Sequence, residues 1–150
     1  MTDALTPKGG SVQVRLLGIA IAGSRGDQIT TGENMRYLAE LPLAPDAILS
    51  NTSLEWRVSG DDIIAVSIDN GSARANVNLR LGRDGVTTSI SALRPRLENG
   101  TSIERPWHGT FSDYRWHEER FIPFHAEVGW VVDERAFIVW RGDLKSWTIQ

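Results

Sequence analysis

Three groupings of polar and aromatic side chains in this 150-residue sequence have the types and spacing for chemistry. The first is the run Phe111, Asp113, Arg115, His117, which on a strand puts an acid, a base and an imidazole on one face and Ser112, Tyr114 and Trp116 on the other. In the strand expected next, His125 and Glu127 share a face opposite Phe124, Ala126, Val128 and Trp130, and antiparallel pairing can bring the two sets together. Imidazole titrates near neutrality and a neighbouring carboxylate tunes it. Asp113, His117, His125 and Glu127 are therefore the candidate catalytic residues of a small acid–base enzyme. The plain alternative is a cross-strand charge ladder that fixes register, with Asp113 and Arg115 a solvent-side ion pair.

The second grouping is a helix face. Glu33, Arg36, Tyr37 and Glu40 recur at i, i+3 and i+4, which gathers two carboxylates, a guanidinium and a phenol. These groups can hold the polar end of a ligand, whereas as a solvated face each ion pair is worth roughly a few tenths of a kcal/mol. The third grouping is the tryptophans: Trp56, Trp107, Trp116, Trp130, Trp140 and Trp147. Tryptophan couples a large apolar area to an indole donor, which suits a core and a pocket wall alike. The residues read as ligand-binding are Arg36, Tyr37, Glu40, Trp107, Arg115, Trp130 and Trp140, with Arg36, Arg115 and Glu127 orienting the polar end.

Other chemistries lack support. His108, His117 and His125 with Glu118 and Glu119 are metal-ligating types in no ligand spacing, so no metal is expected. No glycine-rich phosphate loop occurs and no serine stands in a nucleophile elbow, so no cofactor is expected. A net charge of -3 without a Lys/Arg run provides no field for a phosphate backbone, so nucleic acid is not an expected partner. The absence of cysteine removes disulfides and thiol nucleophiles and fits a reducing compartment, which makes the cytoplasm the expected location. Leu16 to Ala22, the longest early apolar run, falls short of the about 20 residues that span a membrane, and the alternation Val12, Val14, Leu16 makes it a strand rather than a signal segment.

The elements that must position these groups read as mainly β. Residues 1–10 form a loose lead-in to a single β-rich domain over 11–150, a length that buries roughly 70% of the unfolded surface. Ser11 to Ala22 reads as the first strand. Thr30-Thr31-Gly32-Glu33 has the form of a capping box, and the stripe Met35, Leu38, Ala39 ends at Pro42, which predicts one short helix near residues 31–41. Pro45 to Leu49 reads as an irregular or helical turn whose Ile48 and Leu49 plug one end of the core.

From Leu54 the period is two. Leu54, Trp56 and Val58 oppose Glu55, Arg57 and Ser59; Ile64, Val66 and Ile68 run to an Asn70-Gly71 turn; Ala73 to Leu81 alternates without a fault; Asp84-Gly85 turns into Val86, Thr88, Ile90 and Ala92. Pro95 is expected to end pairing and Leu97 to Arg105 to be a loop, before three aromatic-rich strands near 109–118, 124–132 and 136–149. The expected architecture is α+β: a curved antiparallel sheet or half-open barrel of about eight strands, with the helix packed on its concave side.

Arg36-Tyr37-Leu38-Ala39-Glu40, then Pro106-Trp107 with Gly109, Phe111 and Asp113-Tyr114-Arg115, then Ile122-Pro123 with Glu127-Val128 and Trp130, and Trp140-Arg141-Gly142, resemble in order a bacterial family of uncharacterised proteins, a domain of unknown function. The resemblance covers roughly residues 12–150 and implies no activity, substrate or cofactor. It does imply longer relatives with a further β-rich stretch ahead of this chain. A symmetric homodimer is then one way to cover the sheet edge near 12–22. Three readings follow: a binding module for a small apolar or amphipathic molecule in a cup between helix and sheet, the acid–base enzyme, and a β-edge assembly module.

Overall fold

The computed structural model describes residues 27–69, 71 and 73–145, with side chains from Thr31 onward. Seven antiparallel strands form one sheet in chain order: β1 (Leu54–Gly60), β2 (Ile63–Asp69), β3 (Arg74–Leu81), β4 (Thr87–Glu98), β5 (Thr101–His117), β6 (Arg120–Val132) and β7 (Arg135–Asp143). Each strand pairs with the next, so the sheet is a meander that does not close. Two helices precede it, α1 (Asp27–Glu40) and α2 (Pro45–Ser50), joined by the 3-10 turn Leu41–Leu43. The mainly β architecture is as the alternation implies. Seven of the expected strands are present; the one over Ser11 to Ala22, the Asn70 of the predicted turn, and Trp147 lie outside the described residues.

The core lies between α1 and one face of the sheet. Met35, Leu38, Ala39 and Leu41 pack with Val66 of β2, Val77 and Leu79 of β3, Ile90 of β4, Trp107 and Phe111 of β5 and Ala126 of β6. Leu38, Leu41, Val66 and Val77 are wholly buried. Register explains the sharing of that face. Ile64, Leu79, Ile90, Gly109, Val128 and Trp140 stand opposite one another across β2 to β7, and the row Ala92, Trp107, Trp130, Phe137 lies beside it.

Four expectations are corrected. The helix begins at Asp27, so Thr30 to Glu33 lies inside it rather than capping it; threonine costs only about half a kcal/mol in a helix interior, and tertiary packing overrides that. Ile48 and Leu49 do not plug the core: Leu49 is 87% exposed. Pro95 does not end pairing, and residues 97–105 are not a loop. β4 continues to Glu98 and turns at Asn99-Gly100 directly into β5, with Pro95 opposite Glu104. The reason is that β3 pairs with β4 only as far as Ser91, so Pro95 stands where β4 has a partner on one side alone and its missing amide hydrogen is tolerated.

Candidate functional site

The long strands fork. β5 and β6 are paired from the turn at Glu118 to the opposed tryptophans Trp107 and Trp130, and there the pairing stops. Beyond that row β5 runs on with β4 alone, from Pro106 to Thr101, and β6 runs on with β7 alone, through Val131 and Val132. Pro106, which has no amide hydrogen, stands at the point of divergence. Between the two arms lies a cleft of about 520 Å³ lined by Arg96, Glu98, Arg105, Pro106, Val131, Val132, Asp133 and Glu134. Its volume falls in the range of small-molecule sites, roughly 300–1,000 Å³.

The walls of the cleft are held by charge and by turns. Arg105 donates from Nε and Nη2 to the Glu98 carboxylate at 3.0 and 2.8 Å, a bidentate pair that keeps that carboxyl below its ordinary range. Arg96 stands 3.8 Å from the same carboxylate and 5.3 Å over the ring of Trp130, which belongs to the last paired row before the arms part. The outer tip is the two-residue turn Asp133-Glu134, with φ of 50° and 60°. Two consecutive non-glycine residues in the left-handed region cost about 1 kcal/mol or more each, so the tip carries strain.

Two residues inward from Arg96, Arg94 enters the core face. Its guanidinium lies 4.7 Å over Trp107 and 6.0 Å from Trp130, and Nη2 donates to the Gly32 carbonyl of α1 at 3.3 Å. Burial pushes its pKa down from the ordinary value without discharging it. Its Nε is buried with no hydrogen-bond partner, and among the described residues Arg94 makes no ion pair. The nearby carboxylates act on it only at a distance: Glu33 is exposed, and Glu40 is engaged by Arg36 Nε at 2.9 Å. Burial raises the Glu40 carboxyl above its usual value despite that pair.

The candidate catalytic residues divide. His125 and Glu127 meet on the face away from α1, where His125 Nδ1 lies 2.7 Å from Asp143 Oδ1 and Nε2 lies 3.4 Å from Glu127 Oε1, while Arg141 donates to Glu127. These are directly opposed cross-strand pairs, His125 with Asp143 and Glu127 with Arg141. The Asp143 hydrogen bond, above all, raises the His125 pKa, and the Arg141 hydrogen bond lowers that of Glu127. Asp113 and His117 stand apart from them. Asp113 adopts φ 55°, and the register is the same on either side of it, Ser112 facing His125 and Tyr114 facing Pro123. Phe111 is buried while Asp113 pairs with Arg115 at 2.8 Å in the open, and His117 stacks edge-on near Phe124.

Of the ligand-binding candidates, Arg36, Glu40, Trp107 and Trp130 come together around Arg94, and Trp140 packs beside them against Val128. Tyr37 is tied to the core and accepts a hydrogen bond from Asn51 Nδ2 at 2.8 Å. Arg115 lies elsewhere, over the Phe124 ring at 5.0 Å. Among the described residues, Met35, Leu38 and Leu41 pack between helix and sheet, where the sequence predicts a cup, and the cleft lies at the fork. Arg94 and Arg96 were legible only as Arg-x-Arg on one face of a strand, a signal hidden by reading Pro95 as its end. Among the described residues no group of His, Asp or Glu is placed to hold a metal, and no helix is long and apolar enough to cross a membrane.

Comparison with known proteins returns one family. The model of a family of unknown function, DUF6544, matches residues 1–142. No curated protein and no solved structure matches the chain. The chain belongs to that family.

Proposed function

We propose that this member of a family of unknown function is a binding module for a small amphipathic molecule seated in the fork between the β4–β5 and β6–β7 arms. The observation that carries the reading is the cleft itself: Pro106, Val131 and Val132 supply an apolar wall, and Arg96, Glu98 and Arg105 a polar one. Trp130 makes occupancy visible, because a ligand that reaches Arg96 changes the surroundings of the indole over which Arg96 lies. Native mass spectrometry of freshly purified protein is expected to show a bound small molecule. Val131→Trp, which fills the cleft from its apolar side, is expected to abolish binding and leave the fold intact. A bare chain together with no change in Trp fluorescence across amphiphiles of either charge would sink the reading.

Sheet-edge assembly is a second reading, favoured by one observation. Both edges of the sheet expose large apolar side chains, Trp56 and Val58 on β1 and Phe137, Ile138 and Val139 on β7. A monomer by light scattering at micromolar concentration counts against it.

A further inference from the structure

A buried guanidinium is expensive unless a carboxylate or phosphate closes it, because desolvating a cation costs several kcal/mol that only a well-made pair recovers. The other arginines near the fork and the helix are closed in this way. Arg36 holds Glu40, Arg105 holds Glu98 in two hydrogen bonds, and Arg96 stands 3.8 Å from Glu98. Arg94 is the exception. Its Nε is buried without an acceptor, it makes no ion pair among the described residues, and its one described hydrogen bond goes to a carbonyl. What it has instead are two indole faces, which favour a cation but take none of its five N–H groups. Trp130 is shared: Arg94 and Arg96 both lie over it, and Arg96 lines the cleft.

We propose that Arg94 is the anion-recognition residue of this site, and that the ligand class is an amphipathic carboxylic acid whose carboxylate pairs with the Arg94 guanidinium while its apolar tail lies between Pro106, Val131 and Val132. The proposal rests on the fork being the binding site. A planar guanidinium with free edge donors matches a carboxylate in a way an ammonium does not. Stacking on Trp107 fixes its plane, so little side-chain freedom remains to be lost on binding. Glu33 and Glu40 set a limit on the site: Glu40 is occupied by Arg36, and the exposed Glu33 is the carboxylate that an incoming anion must stay clear of.

The test is calorimetric titration of the whole chain with decanoate, decyl phosphate, decanol and decyltrimethylammonium. Decanoate is expected to bind at least tenfold more tightly than decanol and decyltrimethylammonium, and decyl phosphate more weakly than decanoate. In Arg94→Met, which keeps the length and apolar stem, decanoate affinity falls about 10- to 100-fold, the share supplied by a hydrogen bond to a charged group, and decanol is unchanged. Arg94→Lys keeps the charge without the planar fork and is expected to lose about tenfold, so the inference stays testable if the Met variant does not fold. Chemical denaturation supplies a readout that a structural role would not share: Arg94→Met is expected to be as stable as the wild type or more so, because removal of an unpaired buried charge relieves the cost of burying it. Equal binding of decanoate and decanol, unchanged in both variants, overturns the inference and leaves the fork a site for neutral molecules. Tighter binding of decyl phosphate that is lost in Arg94→Met overturns the carboxylate class, and no binding by any of the four overturns the fork reading and the inference with it.

Discussion

Gly129 offers the sharpest test of how β6 and β7 are held together. It lies at the register shift of that pair, where Val128 faces Trp140 and Gly129 faces Ile138, which leaves Val139 as an extra residue on β7. A Cβ added at Gly129 would stand 2.1 Å from the Phe137 carbonyl oxygen, 2.7 Å from its carbon and 2.8 Å from Ile138 Cα. All three are backbone atoms of β7, so no rotamer change relieves the contact, and the strand must back away by roughly 1 Å to reach van der Waals distance. A shift of that size takes the adjoining ladder hydrogen bonds beyond bonding range, at about 1 kcal/mol for each of one or two bonds, and overpacking adds about 1–3 kcal/mol. Gly129→Ala is therefore expected to lose about 2–4 kcal/mol, a large part of the about 5–15 kcal/mol that holds an ordinary domain. The assay is urea denaturation followed by Trp fluorescence, with midpoint and slope compared to the wild type. Gly71→Ala is the control: nothing lies within 4 Å of its Cβ, but its φ of 80° costs an alanine about 1–2 kcal/mol. If Gly129→Ala proves no less stable than Gly71→Ala, the close approach of β7 to β6 is wrong.

Three further outcomes follow from the packing and the charges. Leu38→Ala, at a wholly buried position where α1 meets the sheet, is expected to lose about 2–5 kcal/mol in the same assay, and a loss under about 1 kcal/mol would mean that α1 is not anchored there. His125 has its pKa raised above 6.5, chiefly by Asp143, so its contribution is fully present below the unfolded value and is lost as pH rises through the higher folded one. An NMR titration of the His125 ring is expected to show that raised value and its fall in Asp143→Asn; a wild-type value at or below 6.5 counts against the ladder. Asp46 has its pKa lowered below 3.8 by Arg120, whose Nη2 donates to Oδ1 at 2.9 Å, so its contribution is present above the unfolded value and lost as pH falls through the lower folded one. The stability difference between wild type and Arg120→Gln is expected to shrink below about pH 4 and to be constant near neutrality, and a difference that is the same at both ends of that window would refute the pair.

Much of this fold was legible because period-two alternation is a local property. Ala75, Val77 and Leu79 are buried and Arg74, Asn76 and Arg80 exposed, as their spacing requires. The stripe Met35, Leu38, Ala39 likewise faces the core. What was not legible depends on partners. Pro95 punctuates a strand only if that strand is paired on both sides, and how far β3 reaches along β4 is not written near residue 95. Asn99-Gly100 was the clue available there, the same dipeptide type read as a hairpin turn at 70–71 and passed over because its flanks are polar. The left-handed backbone at Asp113 was equally hidden: aspartate enters that region more readily than most residues, but nothing in the alternation of 111–117 marks the position.

Pro95, expected to break a strand, is one of three prolines that mark where strands overhang their neighbours. Pro95, Pro106 and Pro123 each stand on a strand that has run past one of its two neighbours: β4 beyond β3, β5 beyond β6, and β6 beyond the last β7 pair at His125. Strands of 12, 17 and 13 residues next to strands of 8 and 9 must overhang, and among the described residues each overhang has an edge with no ladder to complete. A proline there costs no hydrogen bond and denies that edge to another chain. At Pro106 the same device has a second effect. It stands where β5 and β6 part below the Trp107 and Trp130 row, and the two arms diverge around the cleft that Arg96 and Pro106 line. The concavity therefore goes with unequal strand lengths and a proline at the parting of the arms, and its lining Arg96 shares the Trp130 ring with Arg94, whose buried Nε has no partner among the described residues.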